Sequence, residues 1–218
     1  MIGGLHGDDG LDSRPSRSQR NLDFHSTIAE FSFIGEYDFL RFDFNSQKDG
    51  WKFTIGTGLS LFYFNPKTEL QGVTHALQPL GTEGQGIDGF NDPYSRVALA
   101  LPIIGAMKIK LSENLTLIPE ISVRISFTDY LDDVSSSYVN FFELRTGNGD
   151  IAAALADRTN EGMGINEPRD IPTGSQRGNP NVDDWYFTGM ISLSYTIGEV
   201  NSIFSRRGGG KYSDCPTF

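Results

Sequence analysis

Two short acidic strings are the first places where this sequence could bind a metal ion. Residues 7–12 read GDDGLD, and residues 128–135 read TDYLDDVS, which places Asp129, Asp132 and Asp133 close together. Carboxylate oxygens at such spacing could hold Ca²⁺. Neither string has the glycine and glutamate spacing of a calcium-binding loop, and aspartates are also common in turns. We therefore predict no metal site and name these three aspartates as the candidates that a structure must check.

The chain lacks the residue patterns of the common catalytic sites. Its three histidines, His6, His25 and His75, do not have the spacing of metal ligands. No Gly-x-Ser-x-Gly string marks a serine nucleophile. We expect the protein not to be an enzyme and to carry no cofactor.

A second set of charged residues lies inside stretches that alternate apolar and polar residues. These residues are Glu30, Glu36, Lys108, Glu120 and Arg124, and each shares its parity with serine, glycine, alanine or threonine. Small and charged side chains of this kind suit the crowded interior of a narrow β-barrel, where opposite charges satisfy one another. We predict an internal ion-pair network. The alternative is a proton or ion path, which a filled interior disfavours.

The alternation itself predicts long strands. In WKFTIGTGLSLFYFNP, residues 51–66, the apolar side chains Trp51, Phe53, Ile55, Leu59 and Leu61 share one parity. Side chains point to opposite faces along a strand, so this segment has one apolar and one polar face. Similar runs occupy residues 31–39, 97–111, 115–130 and 185–197. Runs of about 10 residues are long enough for a tilted strand to cross a bilayer.

Two architectures can produce this pattern. A water-soluble antiparallel barrel would turn the apolar face inward, whereas a transmembrane barrel would turn it toward lipid. The small residues on the polar face favour the transmembrane barrel. That model also predicts aromatic residues at the two lipid–water interfaces, namely Trp51, Phe53, Tyr63, Phe127, Trp185, Phe187 and Tyr195.

Composition excludes two other classes of protein. The formal net charge of -10 argues against a nucleic-acid partner, since such proteins carry clustered lysine and arginine. No stretch approaches the roughly 20 apolar residues of a membrane-spanning helix. The start of the chain shows no secretory signal pattern.

Connection lengths support an up-and-down antiparallel barrel. The links at residues 40–50 and 112–114 are short, while those at 66–96 and 131–184 are long, as expected for tight periplasmic turns and large external loops. The last external loop should contain short helices at 137–144 and at 151–158, the second capped by Asp150. This loop is expected either to cover the barrel mouth as a lid or to be disordered.

The strand count predicts an incomplete barrel. Five long strands are visible, whereas bacterial barrels have an even number and at least eight. We expect the chain to be N-terminally truncated and to hold the C-terminal ~5 strands of an eight-stranded barrel. The expected parts are residues 1–20 as the remnant of an external loop, 21–198 as the barrel and 199–218 as a periplasmic tail.

The tail is the most basic stretch of an acidic chain. It contains Arg206, Arg207 and Lys211 beside a glycine run, together with the single cysteine, Cys215. This segment could dock a partner or bond to one through its thiol, and a passive extension is the alternative.

Several fixed strings resemble a known family. They are RNLDF (20–24), FYFNPK (62–67), LQPLGTEGQG (77–86), YSR (94–96), FTDYLDDVS (127–135), RGNPNVDDWY (177–186) and CPTF (215–218). Together they are similar to the PorG-like small outer-membrane β-barrels of Bacteroidetes, which belong to the type IX secretion system. The resemblance covers nearly all of this chain. The signal peptide and the first strands of the family have no counterpart in this sequence.

The resemblance implies a role without catalysis. It implies a barrel in the outer membrane, with membrane lipids and a periplasmic ring lipoprotein of the secretion system as partners. The alternative function is a small outer-membrane pore or ligand-binding barrel for passive uptake.

Overall fold

Long antiparallel strands form most of the protein. The computed structural model describes residues 1–11, 20–44, 49–112, 114–165 and 169–197. The strands are β1 (Ile2–Asp8), β2 (Asp23–Phe44), β3 (Asp49–Tyr63), β4 (Pro66–Leu70), β5 (Val73–Ala76), β6 (Val97–Lys110), β7 (Leu115–Ser126) and β8 (Trp185–Tyr195).

All eight strands belong to one open sheet whose ladders are antiparallel. The long strands follow the order β2, β3, β6, β7 and β8, and β1 lies on the other side of β2. An all-β antiparallel fold is therefore confirmed. Within the described ranges no ladder joins β8 back to β1 or β2.

The sheet is strongly curled. Four strand-to-strand steps separate β2 from β8, which is about 19 Å along a flat sheet at ~4.8 Å per step. Yet the Tyr186 hydroxyl on β8 donates a hydrogen bond of 3.0 Å to Glu30 on β2. The face that carries these two side chains is therefore concave.

Side-chain burial follows the strand alternation. On the concave face, Glu30, Thr54, Ser60, Ser122 and Arg124 are buried. On the convex face, large apolar side chains are exposed at Phe31, Phe33, Ile55, Leu59, Leu61, Leu99, Ile103, Ile121, Phe187, Ile191 and Leu193. The sheet thus encloses its polar face and exposes its apolar face.

Three short strands were missed by the sequence patterns. Residues 2–8, predicted as loop, form β1, because the backbone of this glycine-rich segment pairs with β2 without any alternation of its own. Strands β4 and β5 form a hairpin inside the long link at 66–96. Its two-residue turn places Gln71 at φ 52° and Gly72 at φ 80°, as a type I′ turn requires.

A helical cap lies above one end of the sheet. We use "the cap" for residues 77–96 and 127–184, except 166–168. It contains the 3-10 helix Gln78–Leu80 and the helices α1 (Phe141–Asn148), α2 (Asp150–Ala156) and α3 (Thr159–Gly162).

The short helices predicted in this segment are confirmed, although α1 begins four residues later than predicted. Asn140 caps α1 through its side chain, whereas the residue before α2 is Gly149, so the prediction that Asp150 caps it is wrong. None of the helices in the described ranges is long and apolar enough to cross a membrane.

Two apolar clusters hold the cap in place. One lies within the cap and joins Leu144 of α1 to Ala152, Ala153 and Ala156 of α2. The other lies between cap and sheet and consists of Ile28, Phe62, Phe64, Ala100, Leu131 and Tyr186. Through the second cluster, the described part of the long loop packs against the end of the concave face.

Candidate functional site: a filled polar interior beneath a cap

Glu30 is the centre of the upper polar interior. Its carboxylate accepts hydrogen bonds from Ser32, from Ser60 at 3.0 Å and from Tyr186 at 3.0 Å. The Arg124 guanidinium lies 3.3 Å away, and the side chains of this ion pair are 4% and 0% exposed. A buried carboxylate needs such donors, because burial without them is costly.

Arg124 extends this network to the last strand. Its Nη1 donates to the Thr188 hydroxyl at 3.0 Å, and Thr188 also pairs with Ser122 at 2.6 Å. The chain of contacts therefore connects β2, β3, β7 and β8 through the interior.

A second, more open network lies farther from the cap. Lys108 binds Glu36 at 2.7 Å and Asp38 at 3.3 Å, and Asp38 also accepts a hydrogen bond from Thr54 at 2.6 Å. Lys52 approaches Asp38 at 3.5 Å. The structure thus brings four of the five predicted interior charges, Glu30, Glu36, Lys108 and Arg124, into two separate networks.

Glu120 belongs to neither network by direct contact. It shares the inward face of β7 with Arg124, four residues away, and its register neighbours are Ala106 and Met190. Across the described ranges it makes no hydrogen bond or ion pair, because Arg124 is held by Glu30 and Thr188. It nevertheless lies within electrostatic range of Arg124, Glu36 and Glu30.

The predicted interfacial aromatics fall into two groups at opposite ends of the strands. Tyr63, Phe127, Trp185 and Phe187 lie at the cap end and are exposed, and Arg96 sits 5.5 Å from the centre of the Tyr63 ring. Trp51, Phe53 and Tyr195 lie at the far end, where Trp51 packs edge-on against Phe53 at 5.0 Å.

Stacked aromatic rings close the cap end of the interior. Phe62 packs against Phe64 at 5.6 Å, Phe64 stacks on Tyr94 at 6.2 Å, and Tyr94 stacks on Tyr130 at 4.4 Å. Tyr186 adds a contact with Phe62 at 5.7 Å. These rings pack together between the cap and the end of the concave face.

A buried ion pair organises the cap itself. The Arg177 and Glu83 side chains, 2% and 1% exposed, meet at 3.0 Å. Glu83 also accepts hydrogen bonds from the backbone amides of Ser135 and Ser136, and Arg177 donates to the carbonyls of Ala156 and Asp133. This pair was missed, because Glu83 and Arg177 are 94 positions apart and occur outside any alternating stretch.

The three candidate aspartates do not converge on one point. Asp133 is occupied by the hydroxyls of Thr82 at 2.5 Å and Tyr94 at 2.7 Å, and Asp132 accepts the amide of Val134. Asp129 has one buried oxygen without a hydrogen-bond partner in the described ranges. Among all residues that the structure describes, no group of three or more histidine, cysteine or acidic side chains is arranged to hold a metal ion.

Burial shifts the ionisation of two of these aspartates. Burial raises the pKa of Asp129 to about 7 and that of Asp133 to about 6. Arg177 and the two hydroxyl donors oppose the shift at Asp133. By contrast, Arg169 and Thr159 outweigh burial at Asp157 and hold the pKa of that carboxyl below its usual range.

One salt bridge and one hydrogen bond connect the cap to segments outside it. Arg158 beside α3 binds Asp23 at the start of β2, and Arg20 binds Asp9 at 2.6 Å while donating to the Arg177 carbonyl at 3.1 Å. The predicted docking residues Arg206, Arg207, Lys211 and Cys215 lie outside the described residues.

A family model described as a domain of unknown function (DUF6089) matches residues 2–153. No curated protein and no solved structure matches the chain.

Loss of Arg124 should destabilise the fold strongly. Arg124→Ala leaves the Glu30 carboxylate buried without its cation, which we expect to lower the free energy of unfolding by about 3–5 kcal/mol. Lys108→Ala removes a more exposed pair and should cost about 1 kcal/mol or less. Urea unfolding, followed by tryptophan fluorescence, measures both. Equal losses for the two variants would contradict the central role of Glu30 and Arg124.

The cap should become more stable at mildly acidic pH. The pKa values of Asp129 and Asp133 in the folded cap lie above the value of about 3.9 for an exposed aspartate, so the folded state binds these protons first. Their stabilising contribution is present at low pH and is lost as pH rises through about 6–7. Hydrogen exchange of cap amides, corrected for intrinsic rates, should show stronger protection at about pH 5 than at about pH 8.

Asp129→Asn is the matched variant for this measurement, because it removes one titrating group and keeps the shape of the side chain. The variant should flatten the dependence on pH. Protection that is equal at both pH values in the original protein would contradict the prediction.

Proposed function

This chain is a member of the DUF6089 family, and we propose that it is an integral outer-membrane β-protein that acts as a structural and docking component of the type IX secretion system. Its partners in this role are outer-membrane lipids and a periplasmic ring lipoprotein. The observation that carries the membrane location is the reversed polarity of the sheet, with charged residues buried on the concave face and large apolar residues exposed on the convex face.

The size of the convex apolar face supports lipid contact. Monomeric soluble proteins rarely expose large contiguous apolar patches, because water disfavours them. Here exposed apolar side chains continue across β2, β3, β6, β7 and β8. In hydrocarbon, exposure of this apolar surface does not carry the free-energy cost that it carries in water.

The strand dimensions support a membrane-spanning arrangement. The two aromatic groups on β3, at Trp51 and Tyr63, are about 12 residue steps apart, which is about 40 Å along the strand at ~3.3 Å per residue. A strand tilted by about 40° then covers about 30 Å along the membrane normal, close to the thickness of the hydrocarbon core. Aromatic groups at both ends are typical of such strands.

The filled interior favours a structural role over a pore. Glu30, Arg124 and their partners occupy the centre, and the stacked rings from Phe62 to Tyr130 close the cap end. A pore for passive uptake would need an open passage through the interior, past Glu30 and Arg124 and past the stacked rings at the cap end. The proposed activity is therefore binding to other components of the secretion apparatus, a role that rests on the resemblance of the fixed strings.

Tryptophan quenching tests the membrane location. The chain has two tryptophans, Trp51 and Trp185, which lie at opposite ends of the apolar face. In liposomes, phospholipids brominated near the headgroup should quench both more strongly than lipids brominated near the chain ends. The variants Trp51→Phe and Trp185→Phe report each end separately. Quenching by aqueous iodide alone, with none by lipid bromine, would refute the proposal.

Capture of the ring lipoprotein tests the docking role. Protein reconstituted in lipid nanodiscs should retain purified ring lipoprotein, and the triple variant Arg206→Glu, Arg207→Glu, Lys211→Glu should weaken capture severalfold if the basic tail provides the contact. Arg145→Glu is the matched control, because Arg145 is an exposed cation of the cap. Cys215→Ser tests whether any retained complex is covalent. A protein that inserts normally and captures no ring lipoprotein contradicts the docking role and leaves the membrane location standing.

A further inference from the structure

One edge of the sheet is only partly covered. Strand β1 pairs with β2 from Asp23 to Ala29, and Met1 continues the ladder through hydrogen bonds of 2.7 and 2.8 Å with the backbone of Glu30. From Phe31 to Phe44, β2 is paired with β3 on one side. No strand in the described ranges pairs with its other side. We call this stretch the open edge.

The open edge presents unpaired backbone groups in a regular row. Both the N–H and the carbonyl of Glu30 point toward β1. Because bonding direction alternates along an antiparallel strand, the same groups of Ser32, Ile34 and Glu36 point outward from the open edge. At the depth of the proposed hydrocarbon region no water is present to satisfy them.

The interior that faces β2 contains a carboxylate without an ion-pair partner among the described residues. Glu120 on β7 lies within electrostatic range of Arg124, which makes its ion pair with Glu30, and of the like charges of Glu36 and Glu30 on β2. Glu36, at 45% side-chain exposure, is the less enclosed partner of Lys108. A cation on the inward face of a strand added at the open edge would face the carboxylates of Glu36 and Glu120.

We propose that the open edge is a strand-addition site, and that the strand it receives is apolar on its outward face and carries an inward lysine or arginine that pairs with Glu120. This proposal rests on the membrane location proposed above. The added strand continues the line of β1, so it extends an interface that already exists in the fold. The edge then gains its hydrogen-bond partners and Glu120 gains its counter-charge at the same time.

Charge also argues against self-pairing of the open edge. If β2 of a second copy were added antiparallel in the register that covers the open edge around Glu36, it would bring a second Glu36 and a second Asp38 beside the first pair. Like charges at neighbouring positions across strands are destabilising. A strand with an inward cation is the complementary partner.

Photocrosslinking tests the added strand directly. A benzophenone side chain at Phe33, which points outward on the open edge, should form a peptide adduct in membranes that contain the full-length protein. The same group at Leu61 is the control, because β3 is paired on both sides by strands of this chain. The expected adduct at Phe33 is an alternating segment, identified by mass spectrometry, with lysine or arginine at an inward position.

Charge variants test the role of Glu120. Glu120→Lys should lower the adduct yield severalfold, because it places a cation opposite the incoming cation. Glu120→Gln keeps the shape and should give an intermediate yield. Glu69→Lys is the control for the same change, since Glu69 is exposed on the β4–β5 hairpin. An unchanged yield with Glu120→Lys, an adduct to β2 of a second copy, or adducts to lipid alone would overturn the proposal.

Tryptophan quenching in the same samples separates the two proposals. Lipid quenching without a peptide adduct would contradict the proposed strand-addition site and would be consistent with the proposed membrane location. Absence of lipid quenching would contradict the proposed membrane location itself.

Discussion

The buried contact between Glu30 and Arg124 is the centre of the interactions that span the concave face of the curled sheet. Side chains from β2, β3, β7 and β8 meet at this carboxylate, although β2 and β8 are four strand steps apart. In a flat sheet these groups would be exposed to solvent on an open polar face. In the curled sheet these groups satisfy one another in the interior, while the apolar residues face outward. The buried charge pairs and the exposed apolar surface therefore occupy opposite faces of the same sheet.

Much of this arrangement could be predicted from the sequence. Period-two alternation located all five long strands, because one-sided burial fixes which residues share a face. Parity placed Glu30, Glu36, Lys108 and Arg124 on one face, and the small residues on that face favoured its inward orientation. What parity could not predict was the pairing across the interior, which depends on curvature. Glu120 shows the limit, since it shares parity with the others and meets none of their side chains directly.

Other features escaped prediction because they lack a periodic signal. Strand β1 is glycine-rich and owes its structure to β2, and the β4–β5 hairpin turns at Gln71–Gly72, a weaker signal than Asn-Gly. Pro102 lies within the central strand β6, where proline is normally unfavourable. It is tolerated because the β3–β6 ladder is interrupted there, between the pairs Thr57–Ile103 and Ser60–Ala100. Such interruptions are set by neighbouring strands and cannot be read from one segment.

The cap explains why separate fixed strings occur together in this chain. Glu83 comes from LQPLGTEGQG, Asp133 from FTDYLDDVS and Arg177 from RGNPNVDDWY, and the three meet in one buried polar cluster. Three of the strings on which the family resemblance rests are therefore neighbours in space, and they lie together in the cap at one end of the sheet.

The most direct test of the lipid-facing sheet is a spin-label scan along β3 in bilayers. Labels at Ile55, Leu59 and Leu61 should be accessible to oxygen and shielded from a water-soluble nickel chelate, while labels at the buried positions Thr54 and Ser60 should be shielded from both. If the outward positions are instead accessible to the nickel chelate, the convex face lies in water and the proposed membrane location is wrong.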